Sequence, residues 1–471
     1  MKPCSFEDLQ YLSVPLPENI LKAKGYGDYT LVDRLIEKRC ADPSLPEALR
    51  RRLRLEQVIC AQIPGEYPYG EEEAIKLLTD KIGPVSAEEW DDLILTNQVD
   101  WIYINGVRRY QDCFLSNLMK TRPDLAERAV RKGTLPPPEE GPNLLDETIR
   151  ELKQKGALTL SYRMRSTMTL CPPDDKKGRP VRVWLPLPNE YAQVKNVQVL
   201  SCSAPRYQLS QPDAPQRTVC MEGRAGEDVF SVEYCYEIHA SYVEADPARV
   251  TDWQPSFYTE EALPHIRFTP FLKDLAREIT GDEKNPLLKA RLIYDYITHH
   301  IRYSFMRAYK TMPMITEFAA AGGKGDCGVQ ALLFITLCRI AGVPARWQSG
   351  LYTEPGDVGC HDWAQFYVAP YGWLFCDCSF GGSAVRKNKP ERWAFYFGNL
   401  DPFRMPANSE YQFEFTPAPR YLRHDPYDNQ LGEAEWEDGP YPRDRRSTRH
   451  ELLSVSGAEA LKFCPACADK D

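Results

Sequence analysis

The chain of 471 residues is 43% hydrophobic and 27% charged, with a formal net charge of −9, a balance ordinary for a soluble globular protein of two to four domains. That charge leaves no basic footprint for nucleic acid, and Arg50, Arg51, Arg52 and Arg54 read as one solvated helix face. No run approaches the apolar length that crosses a bilayer, and "MKPCSFEDLQYLSVPLP" lacks the apolar stretch of a signal peptide. A cytoplasmic protein with no nucleic-acid or membrane partner is expected, and nothing bears on its oligomeric state.

Residues 31–98 repeat apolar positions at helical spacing in short segments such as "PEALRRRLRLEQVICAQ" and "YGEEEAIKLLTDKIG". "DWIYINGVRRYQD" interrupts them, and its Asn105-Gly106 between β-favouring residues predicts a hairpin. A helix follows through Phe114 and Leu118. Pro136, Pro137, Pro138, Gly141 and Pro142 then mark a linker, which bounds a mainly helical region over 1–140. From Leu158 to Ile238 the period changes to two, in Leu158, Leu160 and Tyr162, in Val181, Val183 and Leu185, and in Phe230, Val232, Tyr234 and Tyr236. Turn clusters such as "PPDDKKGRP" separate these runs, which predicts an antiparallel β-sandwich-like domain over 155–245.

Asn285 and Pro286 make a cap and first-position pair for a helix carrying Leu288, Leu292, Ile293 and Tyr296. In "GGKGDCGVQALLFITLCRIAG" glycines lead into a helix that is apolar on nearly every side, and Gly342 and Pro344 end it. Cys327 falls in its first turn, where unpaired N–H groups and the helix dipole favour a thiolate. "ARWQSGLY", "DWAQFYV" and "WLFCD" follow as three strands, the last two joined across "APYG". A helix packed on consecutive antiparallel strands is an α+β core, placed over 255–400. Beyond Gly398 the chain is rich in Pro, Tyr, Asp and Glu, and "EWEDGPYPRDRRSTRH" predicts an extended arm and flexible tail over 401–471.

A lone cysteine beside a helix is more often packing than chemistry. Here His361 opens the second of the three strands and Asp377 closes the third, so an antiparallel hairpin brings them together. An imidazole to take the thiol proton and a carboxylate to orient the imidazole complete a nucleophilic site.

In "GDCGVQALLFITLCRIAGVPARWQSGL", "HDWAQFYV" and "WLFCDCSFGG" the chain resembles the transglutaminase-like superfamily of papain-related cysteine enzymes, in a bacterial-type form, over Leu263 to Gly398. The resemblance implies a papain-like fold in which the buried nucleophile helix packs on the sheet. It also implies Cys327 as nucleophile, His361 as general base and acid, and Asp377 as the orienting group. Calcium-dependent animal transglutaminases carry two β-domains after the core, where only 401–471 follows here, and no EF-hand-like loop is present. No cofactor or metal is therefore expected. In those animal transglutaminases an upstream tryptophan indole forms the oxyanion hole with the cysteine backbone N–H, and here no tryptophan lies between Trp253 and Cys327. Tyr303 is the substitute donor, and Trp347 and Trp363 are candidates to line a substrate pocket.

Strand alternation turns Cys376 and Cys378 away from Asp377, and Cys360 away from His361, so all three read as buried free thiols pointing away from the nucleophile. Cys464 and Cys467 have the spacing of half a zinc site. His299 and His300 face different directions on one helix and share no metal. The expected activity is cysteine-dependent hydrolysis, or transamidation, of amide bonds in a peptide or protein substrate through a thioester. The alternatives are an acyltransferase with a small acyl donor and a non-catalytic transglutaminase-like binding scaffold. On this reading Cys327 is the most acidic of the fifteen thiols.

Overall fold

The computed structural model describes residues 4–137 and 143–463. Pro138, Gly141 and Pro142 of the linker and the pair Cys464 and Cys467 lie outside the described residues. The N-terminal region is built of short helices, among them Tyr29–Cys40, Glu47–Glu66, Glu71–Ile82 and Ala87–Leu95. In Glu71–Ile82 three glutamates open the first turn and Lys81 sits in the last, which suits the helix dipole, and Ala74, Leu78 and Ile82 bury one face. The hairpin pairs Trp101–Ile104 with Val107–Tyr110. Its turn residues take φ values of 50° at Asn105 and 73° at Gly106, the positive pair that a two-residue turn demands. This region is stitched by hydrogen bonds to the third unit, ahead of Cys327. Asn117 accepts from the Phe305 N–H at 2.6 Å, and Glu66 accepts from the Ala308 N–H at 2.9 Å.

Next come two packed antiparallel sheets. Along the strand Ala157–Leu170 every second residue is buried, the pattern of a sheet with one face in a core. Met164, Val183, Leu185, Val219, Met221 and Val232 fill the space between the sheets without exposure.

The third unit is a five-stranded antiparallel sheet in the order Phe397–Gly398, Gly372–Cys376, Asp357–Val368, Ala345–Glu354 and Arg404–Asn408. The helix Cys327–Ile340 packs on its central strands and is buried from Gly328 to Arg339. Phe334 meets Phe366 edge to face at 5.9 Å, one of the contacts that lock helix to sheet.

The segment after Gly398 corrects the expectation of a loose arm. Arg404–Asn408 is a wholly buried edge strand of the five-stranded sheet. Glu433–Trp436 joins one sandwich sheet beside Pro180–Pro186, and Arg446–Ser456 joins the other beside Ala157–Leu170. The sandwich is therefore completed by strands from the far end of the chain. Apolar periodicity misses them because charged residues held in pairs share their buried positions with the apolar ones. Arg446 bonds Glu433 at 2.6 Å, and Arg182 pairs with Glu435.

Candidate active site

Asp326 caps the nucleophile helix by accepting the Val329 N–H at 3.0 Å, and the Tyr309 hydroxyl donates to the same carboxylate oxygen. Cys327, the first helical residue, is half-buried. Gly328 is required by crowding: a Cβ there would lie 2.3 Å from the Tyr309 hydroxyl oxygen, 2.8 Å from an Asp362 carboxylate oxygen and 2.9 Å from the Trp347 ring. The space beside this glycine is thus filled by the protein.

Two acid-paired halves meet at the junction of residues 361 and 362. On one face of the sheet His361 Nε2 lies 2.8 Å from Asp377 Oδ2, and both side chains are buried. On the other face the Cys327 thiol donates to Asp362 Oδ2 at 3.1 Å. The structure thus joins His361 and Asp377 as expected, while the thiol's hydrogen bond goes to His361's neighbour in the chain. Alternation explains the split, since successive residues of a strand point to opposite faces. Asp362 lies opposite Ser349 and His361 opposite Gly350 in the ladder.

The electrostatics follow the pairing. Burial raises the Cys327 thiol well above its ordinary value, and the carboxylates of Asp362 and Asp326 add to the rise. The expectation of an unusually acidic thiol is corrected for this arrangement, because burial first, and then the two adjacent acids, outweigh the helix dipole. Burial likewise raises Asp362 to about 7 and Asp326 to about 6. His361 is lowered by burial, with Asp377 pulling the other way. Asp377 lies below the usual carboxylate range: burial opposes this, but His361 and Arg404 prevail.

Tyr303 is partly buried under the Lys120 ammonium, 5.1 Å from its ring centroid. Burial and then the charges of Cys327, Asp326 and Asp362 hold its hydroxyl far above the ordinary phenol value, so it stands as a neutral donor. Trp347 lies against the start of the nucleophile helix with 2% exposure. Trp363 is fully enclosed behind His361 and gives its N–H to Gln348 at 2.7 Å. Cys376 and Cys378 are buried with their sulfurs 3.7 Å apart. Cys360 is exposed, and it shares the Asp362 face that meets the nucleophile helix. Its expected burial and orientation are both corrected. His299 and His300 each bond a different helix carbonyl. Among the described residues no group of three or more ligand side chains could hold a metal ion, and no helix is long and apolar enough to cross a membrane.

Asp326, Asp362, Arg404 and Gln430 were missed in the sequence. Asp326 had a readable signal, as an acid immediately before a helix that starts on a functional residue. Asp362 stands inside "HDWAQFYV", where strand alternation turns it to the face opposite His361.

The transglutaminase-like superfamily model matches residues 273–378, which contain Cys327, His361 and Asp377. This segment is a transglutaminase-like domain. An uncharacterized protein of Haemophilus influenzae is 23% identical over 301 residues, 55% of this chain and 81% of that protein. Among solved structures, a cysteine-protease candidate from Cytophaga hutchinsonii aligns with a TM-score of 0.40 and 15% identity, over 64% of this chain and 91% of that one. The periplasmic domain of TgpA from Pseudomonas aeruginosa aligns with a TM-score of 0.27 and 14% identity, over 52% and 94%. Arg404 and Gln430, which hold Asp377 and Asp362, lie beyond the matched transglutaminase-like domain.

Proposed function

We propose that the protein hydrolyses amide bonds of a peptide or protein through a thioester on Cys327. The observation that carries this reading is the His361 Nε2–Asp377 Oδ2 hydrogen bond of 2.8 Å, one residue from the carboxylate that holds the thiol. With Nε2 engaged, Nδ1 is the ring nitrogen left to receive the thiol proton, and Asp377 stabilises the resulting imidazolium. In the structure the thiol is held by Asp362 on the face opposite His361, so this transfer requires the strand end that carries His361 to twist until the imidazole faces the helix start. The thiolate then adds to the substrate carbonyl, and the first-turn N–H groups with the Tyr303 hydroxyl are the donors for the oxyanion. His361 returns the proton to the leaving amine, and the C–N bond breaks to leave the thioester. Water, deprotonated by the same imidazole, adds to the thioester, releasing the carboxylic acid and regenerating the thiol. An amine in place of water would give transamidation. The cysteines among the described residues are free, a state that a reducing compartment maintains, which supports a cytoplasmic setting.

The test is labelling of the full chain with a peptide carrying a thiol-reactive carbonyl, read by intact mass and peptide mapping. A single adduct on Cys327 is expected, lost in Cys327→Ala and slowed by about 10²-fold or more in His361→Ala. Equal labelling of Cys327 in wild type and His361→Ala would refute the Cys–His assignment and leave the binding-scaffold reading.

A further inference from the structure

The carboxylate that holds the thiol belongs to a chain of hydrogen bonds reaching across the molecule. Gln430 Nε2 donates to Asp362 Oδ1 at 2.6 Å and to the His361 carbonyl at 3.1 Å. The Gln430 carbonyl in turn meets His450 Nε2 at 2.9 Å, and His450 Nδ1 meets Ser166 Oγ of the sandwich at 2.8 Å. Asp362 is therefore clamped on both oxygens, one by Gln430 and one by the thiol, and it is only 6% exposed. No step of the proposed hydrolysis uses it. A buried carboxylate fixed against a nucleophile and idle in the chemistry calls for another role.

We propose that Asp362 is a positioning residue that controls whether Cys327 stands as thiol or thiolate, holding it as a protonated donor until the carboxyl is neutralised or the clamp is released. The proposal deepens the reading of Cys327 as nucleophile, but its readout is thiol chemistry and needs no substrate. An ionised carboxylate in contact with sulfur opposes a second negative charge there, whereas a neutral carboxyl can donate its own O–H to a thiolate.

The surroundings reinforce this sign. Asp326 on the same helix start and Asp425 from the C-terminal segment add negative charge around Asp362, while Asp428, whose own carboxyl is raised by burial, opposes this through a hydrogen bond to Asp362. The Tyr303 and Tyr309 hydroxyls, from the loop before the helix, stay neutral there. Lys120 of the N-terminal region is the cation that feels the Cys327 charge, and it is exposed and so screened. His361 sits on the same strand and is itself lowered by burial. The acids thus outnumber the cation, and Asp362, raised to about 7, gains its opposing charge across the neutral range.

The experiment is the rate of iodoacetamide alkylation of Cys327 against pH in the full chain, followed by mass spectrometry of the Cys327 peptide. Asp362→Asn is expected to move the midpoint of the profile down by about 1–3 pH units, the range for a contacting charge. Asp362→Glu should move it back towards wild type. Gln430→Leu, which frees one Asp362 oxygen and disfavours its ionised form, should shift the midpoint the same way by a smaller amount. An Asp362→Asn profile that coincides with wild type, or moves up, in a variant with an intact melt overturns the proposal. Should Asp362→Asn not fold, an unchanged Gln430→Leu profile overturns it instead. His361→Ala separates the two readings: an unchanged profile there removes the Cys–His pair and leaves an Asp362 shift standing.

Discussion

Arg404 Nη1 lies 2.7 Å from Asp377 Oδ2, and both side chains are wholly removed from solvent. The same oxygen receives His361, while Asp377 Oδ1 caps the following helix through the Phe380 N–H at 2.9 Å and the Ser379 hydroxyl at 3.1 Å. Asp377 is thus the meeting point of a buried ion pair, a helix cap and an imidazole. Arg404 also pairs with Asp401 at 2.8 Å, so one guanidinium serves two buried carboxylates.

Removing that guanidinium should be costly. Arg404→Met leaves Asp377 and Asp401 buried with one cation fewer, and a loss of about 3–5 kcal/mol is expected from breaking one side of such a pair. Arg404→Lys should fall between, because a point charge cannot fork between two carboxylates. Urea denaturation measures both. A loss below about 1 kcal/mol for Arg404→Met would show that the two acids neutralise or relax without it.

Asp377→Asn should impair stability as well as catalysis, since the amide keeps the cap but loses the charge that answers Arg404 and His361. Asp377 is held below the ordinary carboxylate value in the fold, so its contribution is present above about pH 4 and is lost as pH falls further. The melting gap between wild type and Asp377→Asn should therefore hold steady down to about pH 5 and shrink in stronger acid. Turnover should fall by about 10- to 10³-fold. A gap independent of pH throughout would mean that the charge of Asp377 is not what stabilises the fold.

The opposite sign applies to Asp428, whose carboxyl is raised well above its ordinary value by burial and by Asp425 and Asp362. A carboxyl raised in the fold opposes folding increasingly as pH climbs above its unfolded value near about 4. Asp428→Asn should accordingly melt above wild type at about pH 8, with the two curves converging towards about pH 4. A variant that melts below wild type at alkaline pH would show that the carboxylate makes contacts the amide cannot replace.

Alkylation of the native protein should sort the thiols by exposure. Cys171 and Cys360 are exposed; Cys171 should react first near neutral pH, and Cys360 more slowly because its surroundings and the charges of Asp428, Asp362 and Asp425 raise its thiol, whereas Cys338, Cys376 and Cys378 are buried and should react only on unfolding. Cys327 should lag the exposed pair despite its helix start, because Asp362 and Asp326 oppose its ionisation. Peptide mapping after limited labelling decides it, and early reaction of Cys376 or Cys378 would mean that the sheet edge opens readily.

The nucleophile helix and the strands beside it were legible because their buried faces are apolar, so Val329, Leu332, Phe334 and Phe366 announce them. His361 and Asp377 were legible because hairpin geometry alone makes them neighbours. The strands after Gly398 were not, since Arg404, Glu433 and Arg446 are buried as ion pairs and imitate a solvated tail. Asp362 escaped for a related reason. Its role depends on which sheet face receives the helix, and a register with polar residues on both faces does not declare that. Gln430 reaches the site only through the tertiary fold, and nothing near it in the chain points there.

The weaving of the last strands into both earlier units has a consequence for a chain made from its N-terminus onward. Ser166 and His450 are 284 positions apart, so the edge of Ala157–Leu170 stays open until Arg446–Ser456 has left the ribosome. An open edge on a nascent sheet invites pairing with other chains, and such long-range closure is slow to form. The thiol passes through the same interval. While Gln430 is still inside the exit tunnel, Cys327 and Asp362 can already be outside, and the nucleophile is then exposed without the clamp that quiets it.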